Sequence, residues 1–395
     1  MGPITFVEPY YYNTVWYFAM LIVAWLNVLY YIGSNEQKVL KEDGTDPSQG
    51  FAVFVTFLII YYLGLRPIYR DFVDMSNYAG MYRRFFPRYN YMPPDFSKEW
   101  LWHDMTVFFN HNGYTVYEYF LFIEFVYVIG MLISSYLVMR NNLWMAMMFM
   151  FTSFSFVSFG ENGIRNGMAC SIAMVAVCLM TQEGKPKKFL AAFVMFLAFG
   201  THRSTALPIV ASLLSLFAIK DTRTAMRFWL ISIAISVIAG PFVERFFAAL
   251  GFDDRMDTYT SHDQADLAAT FSSTGFRVDF FIYSAVPVIM IWYVTIKRKF
   301  RDKTYDVIAI TYLLCNAFWI MVIRAAYSNR FAYLSWFLYP LVIAYPLLRM
   351  NIWKDQDRRT ALILFLYSGF TFFMFFIYYF GTTGFKGFDQ FWWRK

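Results

Sequence analysis

The run YEYFLFIEFVYVIGMLISSYLVM, residues 117–139, decides the fold. At 1.5 Å per residue it is long enough to cross a hydrocarbon core about 30 Å thick. It does not stand alone. Apolar runs of similar character cover about 14–33, 51–65, 142–159, 163–181, 188–201, 204–219, 228–247, 279–296, 304–323, 331–348 and 360–380. With 59% hydrophobic and only 15% charged residues, the chain reads as an all-α polytopic membrane protein of about twelve transmembrane helices. The expected organisation is one transmembrane domain, 1–395, with two long extracytoplasmic loops at about 66–116 and 249–278. The N-terminal tail has no basic region before its first apolar run, so that run is expected to be retained rather than cleaved.

Basic loops set the orientation, because Lys and Arg in short loops resist translocation. Lys185 to Lys188, Lys220 to Arg227, Lys297 to Lys303 and Lys354 to Arg359 are therefore expected in the cytoplasm. The outer side then receives few lysines and most of the arginines. A guanidinium is a rigid, always-charged fork suited to a phosphate in a partly dry site. Arg66, Arg70, Arg165, Arg203, Arg324 and Arg330 fall at outer span ends or in outer loops, where they suit a diphosphate held without metal. Several of these also have local acids to pair with, as Arg70 has Asp71 and Asp74. Arg165 opens a predicted helix after Gly163, so backbone N–H groups and the helix dipole would add to its pull on an anion. Interfacial snorkelling accounts for Arg165 equally well.

The loop at about 66–116 is dense in aromatic and charged residues (RRFFPRYNYMPPDFSKEWLWHDM, 83–105), and is expected to contain a re-entrant or interfacial helix beside Pro93-Pro94. Its aromatics fit a membrane belt, and they also fit sugar stacking. His202, at an outer span end beside Arg203, is the first candidate for a general base, since imidazole titrates near neutrality. A histidine bonded to a neighbouring helix is the competing reading. Asp74, Glu118 and Glu161 are rival bases, because acids at span ends need a role or a partner. Asp74 and Tyr78 are one helical turn apart and share a face, so both can meet one sugar.

Other chemistries find little support. Cys170, Cys178 and Cys315 lie in apolar runs without a Cys-x-x-Cys motif, and His103, His111 and His262 match no standard ligand spacing, so no metal or cofactor is expected. No Gly-x-x-x-x-Gly-Lys-Ser/Thr or Gly-x-Gly-x-x-Gly motif is present. The net charge of +7 is not gathered on a soluble face, which argues against nucleic acid.

Five segments in register carry a family resemblance. Gly64-Leu65-Arg66 followed by Asp74-x-x-Asn77-Tyr78-x-x-x-Tyr82 resembles the first conserved stretch of the EpsG family of exopolysaccharide membrane proteins. Tyr117-Glu118-Tyr119-Phe120 resembles that family's Glu-Pro-x-Phe, without the proline. Gly163-Ile164-Arg165-Asn166-Gly167-Met168-Ala169 is similar to its Arg-Gln-x-x-Ala helix start, with Asn for Gln. Lys187-Lys188-Phe189 leading to His202-Arg203-Ser204-Thr205-Ala206 resembles its Lys-Lys-Phe and His-x-Ser-Ala run, with one extra residue. Arg330-Phe331-Ala332-Tyr333 resembles its Arg-x-x-Tyr helix.

The resemblance spans about 60–345 and implies a Wzy-type polymerase related to the helical GT-C glycosyltransferases. It implies joining of polyprenyl-diphosphate-linked oligosaccharides at the outer face of a bacterial inner membrane. The partners it implies are that glycolipid, membrane lipid, a flippase and a chain-length regulator. Tyr78, Tyr82 and Tyr333 are then the expected sugar contacts. Two other functions stay open: a lipid-oligosaccharide flippase, which should carry charge along the whole bundle, and a membrane O-acyltransferase, which would leave the outer arginines unused.

Overall fold

A computed structural model describes residues 1–33, 48–69, 72–249, 277–324 and 328–380. Helices carry almost all of it. The first half holds α1 (Tyr12–Ile32), α2 (Gln49–Gly64), α3 (Val73–Arg84), α4 (Trp100–His111), α5 (Val116–Met139), α6 (Leu143–Phe151), α7 (Phe154–Asn162) and α8 (Ile164–Thr181). The second half holds α9 (Lys185–Thr201), α10 (Ala206–Phe217), α11 (Thr222–Ala249), α12 (Val278–Ile291), α13 (Lys303–Met321), α14 (Asn329–Trp336), α15 (Tyr339–Arg349) and α16 (Gln356–Phe380).

Seven stretches among the described residues are long and apolar enough to cross a membrane, from Pro9–Ile32 to Arg330–Arg349. Two shorter apolar stretches, Gln49–Gly64 and Arg203–Phe217, accompany them. Helices also cover the other apolar runs expected as spans, and one run is broken locally. The run 142–159 divides into α6 and α7, nine residues each, where Ser153 takes an extended conformation (ψ 142°). Each half is about 13 Å long and cannot cross alone. Broken helices are tolerated at membrane depth where they are buried in protein or line a cavity. Here α6 is wholly buried, and the end of α7 meets the start of α8 at a cavity.

The centre of the bundle is the α14–α15 unit, with α13 against it and α10 and α11 outside α13. On the other side α8 packs between α5 and α9, α2 lies on α5, and α1 lies on α16 through Tyr17–Phe375 and Trp25–Phe365 stacking. Lipid supplies no hydrophobic drive between helices, so small residues let backbones approach. At Gly167 a Cβ would lie 2.9 Å from the backbone oxygen of Phe159, and that close approach fixes α8 against α7.

Arg66, expected at a diphosphate, lies inside this frame with no exposed surface. Its guanidinium donates to Leu63 O at 2.5 Å, to Glu124 Oε1 at 2.9 Å and to Gly160 O, tying α2, α5 and α7 together. A buried guanidinium needs a counter-charge, and here Glu124 supplies it. Glu161 is buried beside it on α7 and accepts from Asn13 Nδ2 at 2.8 Å. The positions of both residues are structural ones, between helices.

Basic loops gather at one end. Arg301 pairs with Asp221 at 3.6 Å, and Arg298 Nη2 donates to Ile352 O at 2.6 Å, so the three basic runs after α10, α12 and α15 meet.

Candidate functional site

The opposite end of the bundle holds a cavity of about 430 Å³, within the usual range for ligand pockets. Four regions distant in sequence supply its chemistry: α3 and α4 from the first long loop, the α7–α8 junction, the α9–α10 turn, and the start of α14. Asp74, Tyr78, Arg165, His202, Arg203, Arg330 and Tyr333 all line it. Seven of the thirteen residues expected at a site are thus brought together.

The cavity's floor is built by α4. The extended stretch before it is pinned down by Met92 N donating to Asp104 Oδ1 and by His103 Nε2 against Asn90 O, each at 2.9 Å. Trp100 then packs on Phe196 of α9, ring centroids 5.3 Å apart. Gly200 makes room for that indole: a Cβ there would lie 2.7 Å from Trp100 Cε2. The consequence is that Glu99, the residue preceding α4, is delivered to the end of α9.

There Glu99 sits between two side chains of opposite sign to its own or able to take it. Arg165 Nη1 donates to Glu99 Oε2, and His202 Nδ1 lies 2.6 Å from Oε1. Burial alone would raise the Glu99 carboxyl, but His202 and the Arg165 charge hold it down at about 2. Nδ1 is the ring nitrogen that faces the carboxylate, and Nε2 is the one on the far side of the ring. The carboxylate thus holds a negative charge beside the imidazole.

The surroundings favour an anion. Four fixed cations line the cavity, Lys98, Arg165, Arg203 and Arg330, against two carboxylates, Asp74 and Glu99. Arg203 Nη1 donates to Ser97 O at 3.0 Å, which holds the α9–α10 turn against the loop before α4. The 18-residue helix α8 begins at the cavity with Gly163, Arg165 and Asn166, adding backbone donors and a positive helix end. Tyr78, Trp102 and Tyr333 supply flat apolar faces. Tyr78 is set edge-on to Trp102, and Tyr333 OH meets Ser158 Oγ.

The other expected residues lie elsewhere. Glu118 closes a capping box with Thr115 at the start of α5 and meets the N-terminal amine at 3.1 Å. Tyr82 OH donates to Tyr114 O at 2.7 Å and its ring stacks on Tyr119. Arg324 sits against α11, its Nη1 3.1 Å from where a Gly240 Cβ would be. Arg70 and the loop 250–276 with His262 lie outside the described residues. Among the described residues, no three His, Cys, Asp or Glu side chains gather as metal ligands.

Two outcomes follow from the Glu99 geometry. A carboxyl held near 2, against about 4.5 when unpaired, stabilises the fold fully above pH 4.5 and loses that contribution as pH falls toward 2. Thermal unfolding of wild type and Glu99→Gln is therefore expected to differ while the carboxylate is ionised. The gap should narrow below about pH 4.5. Gly200→Val should overpack the Trp100 contact, costing about 1–3 kcal/mol in detergent unfolding. It should also lower activity, by moving Glu99 off His202.

A protein-family comparison completes the picture. The family model described as EpsG family matches residues 49–391, most of the chain. No curated protein and no solved structure matches it. The chain belongs to the EpsG family, whose proteins are Wzy-like polymerases.

Proposed function

We propose that this EpsG-family membrane protein lengthens a polysaccharide by joining polyprenyl-diphosphate-linked oligosaccharides in the cavity around Glu99, Arg165 and His202. The observation that carries this reading is the convergence there of a carboxylate-held imidazole with three guanidinium groups. The chain acts as one transmembrane domain related to the helical membrane glycosyltransferases.

The donor's diphosphate lies against Arg165, Arg203 and Arg330 and the start of α8. A hydroxyl of the acceptor sugar attacks the donor's anomeric carbon. The new carbon–oxygen bond forms there as the bond from that carbon to the diphosphate oxygen breaks, and the electron pair leaves with the polyprenyl diphosphate. The hydroxyl proton passes to His202 Nε2. Negative Glu99 then stabilises the imidazolium. Charge grows on the leaving oxygens, so donors already fixed in a partly dry site stabilise the transition state more than the ground state. Asp74 lies one turn from Tyr78 on α3, where both face the bound sugars together with Tyr333.

The gathering of basic loops at the far end supports a topology with those loops in the cytoplasm and the cavity outside a bacterial inner membrane. In that setting a flippase delivers the acceptor, and a chain-length regulator sets how far elongation runs.

The test uses the full chain in nanodiscs with its lipid-diphosphate oligosaccharide and no nucleotide. A ladder of lengthened glycans on gels is expected. Movement of the lipid across vesicles without any ladder would make the protein a carrier instead.

A further inference from the structure

A second cavity, about 680 Å³, lies at the other end of the bundle between α9, α10 and the start of α13. Its distance from the first site follows from α9, which runs from Lys188 at this crevice to His202 at the candidate active site. Fourteen residues of helix make about 20 Å. The crevice therefore belongs to neither the sugar nor the diphosphate chemistry described above.

Its walls are apolar, formed by Met195, Leu213, Leu216 and Ile310, while its mouth carries Lys188, Lys220, Arg301 and Lys303. Among the described residues no carboxylate pairs with the three lysines, whereas Arg301 reaches Asp221. The two acids in the lining differ. Asp302 is engaged, accepting from Tyr305 N at 2.9 Å and Tyr345 OH at 3.0 Å. Asp306 Oδ1 is buried with no hydrogen-bond partner. The flanking surfaces of α9 and α10 expose Phe189, Phe193 and Phe217, each more than half accessible, so the crevice opens beside the faces that lipid would cover.

A fitting occupant has hydrocarbon for the walls, a phosphate for the lysines and a donor for Asp306. We propose that the crevice is a specific site for an anionic phospholipid with a hydroxyl-bearing headgroup, of the phosphatidylglycerol class. The phosphodiester sits among Lys188, Lys220 and Lys303, near the N-terminal end of α13, whose dipole adds to their pull. The headgroup hydroxyl donates to Asp306 Oδ1, satisfying a buried acceptor that is otherwise costly. One acyl chain runs along Met195, Leu213 and Leu216. A zwitterionic choline headgroup has no proton to give Asp306 and brings its own cation to the lysines, so it fits less well.

Native mass spectrometry of the full chain in detergent tests this, with phosphatidylglycerol, phosphatidylcholine and inorganic phosphate added separately. One retained phosphatidylglycerol per chain is expected, with phosphatidylcholine held far more weakly. Each lysine near a lipid phosphate contributes about fivefold in binding, so Lys188→Ala/Lys220→Ala/Lys303→Ala should weaken the adduct on the order of 100-fold. These three positions are exposed, and the substitutions leave the core intact. Ala192→Trp, which fills the crevice from an exposed position, should remove the adduct without touching any charge. An adduct unchanged in both variants would overturn the proposal. So would equal loss of phosphatidylcholine and phosphatidylglycerol, or displacement of the lipid by inorganic phosphate alone.

Discussion

His202→Ala is expected to lower the turnover of glycan joining by about 100-fold to 10,000-fold, the usual contribution of a positioned general base. The KM for the lipid donor should change little, because the proposal assigns the diphosphate to other residues. Glu99 is the reason for the expected loss of turnover. A histidine serving only to join two helices would have no need of a half-buried carboxylate 2.6 Å from Nδ1, itself tied to Arg165. In the proposed reaction that arrangement leaves Nε2 for the proton and keeps a counter-charge beside the ring. His202→Gln is therefore the informative companion: it preserves a hydrogen bond to Glu99 but has no basic nitrogen. It should fold as wild type and be as slow as the alanine variant. If glutamine restores turnover, His202 is a strut rather than a base.

Arg165→Ala is expected to reduce turnover by about 100-fold to 1,000-fold, the scale seen when one preorganised donor to a developing charge is removed. Arg165→Lys should recover little, because an ammonium cannot hold Glu99 and a phosphate oxygen through one planar fork. In the proposed reaction Arg165 holds the diphosphate as well as Glu99, so its loss is separable from that of His202 by inhibition. Inorganic pyrophosphate should inhibit wild type and His202→Ala-containing preparations' donor binding alike. Against Arg165→Ala its hold should weaken about tenfold or more, since a charged hydrogen bond to phosphate is lost. Equal pyrophosphate binding by Arg165→Ala and wild type would remove the residue from the diphosphate site.

The helical, membrane-spanning character of the chain was legible because apolar runs the length of a bilayer leave few alternatives. The cavity was legible in part for a different reason. Arg165, His202, Arg203 and Arg330 are fixed charges or titratable groups at the ends of apolar runs, and such groups must converge on something polar. Arg66 and Glu161 met the same criterion, yet both are buried between helices. Their partners, Glu124 for the first and Asn13 for the second, lie 58 and 148 residues away, a separation that sequence pattern does not bridge.

Glu99 was missed for the opposite reason. It sits beside Lys98 in a loop with several acids and gives no sign of burial, but Lys98 turns to Asp95 at 3.7 Å. The Trp100 contact at Gly200 carries Glu99 to His202 instead. The only local signal was the Trp100-Leu101-Trp102 cluster that follows it. The broken helices were equally hard to read, since α6 and α7 together have the composition of one span and divide only at Thr152-Ser153.

The central claim is that the lipid diphosphate occupies the Glu99–Arg165–His202 cavity. Its most direct test is photocrosslinking of the full chain in nanodiscs with a donor analogue carrying a diazirine on the sugar next to the diphosphate, followed by peptide mapping. The account predicts labelling within residues 74–78, 97–103, 162–166 and 202–204, suppressed by unlabelled donor. Labelling confined to the far end, around Lys188 and Lys303, would contradict it.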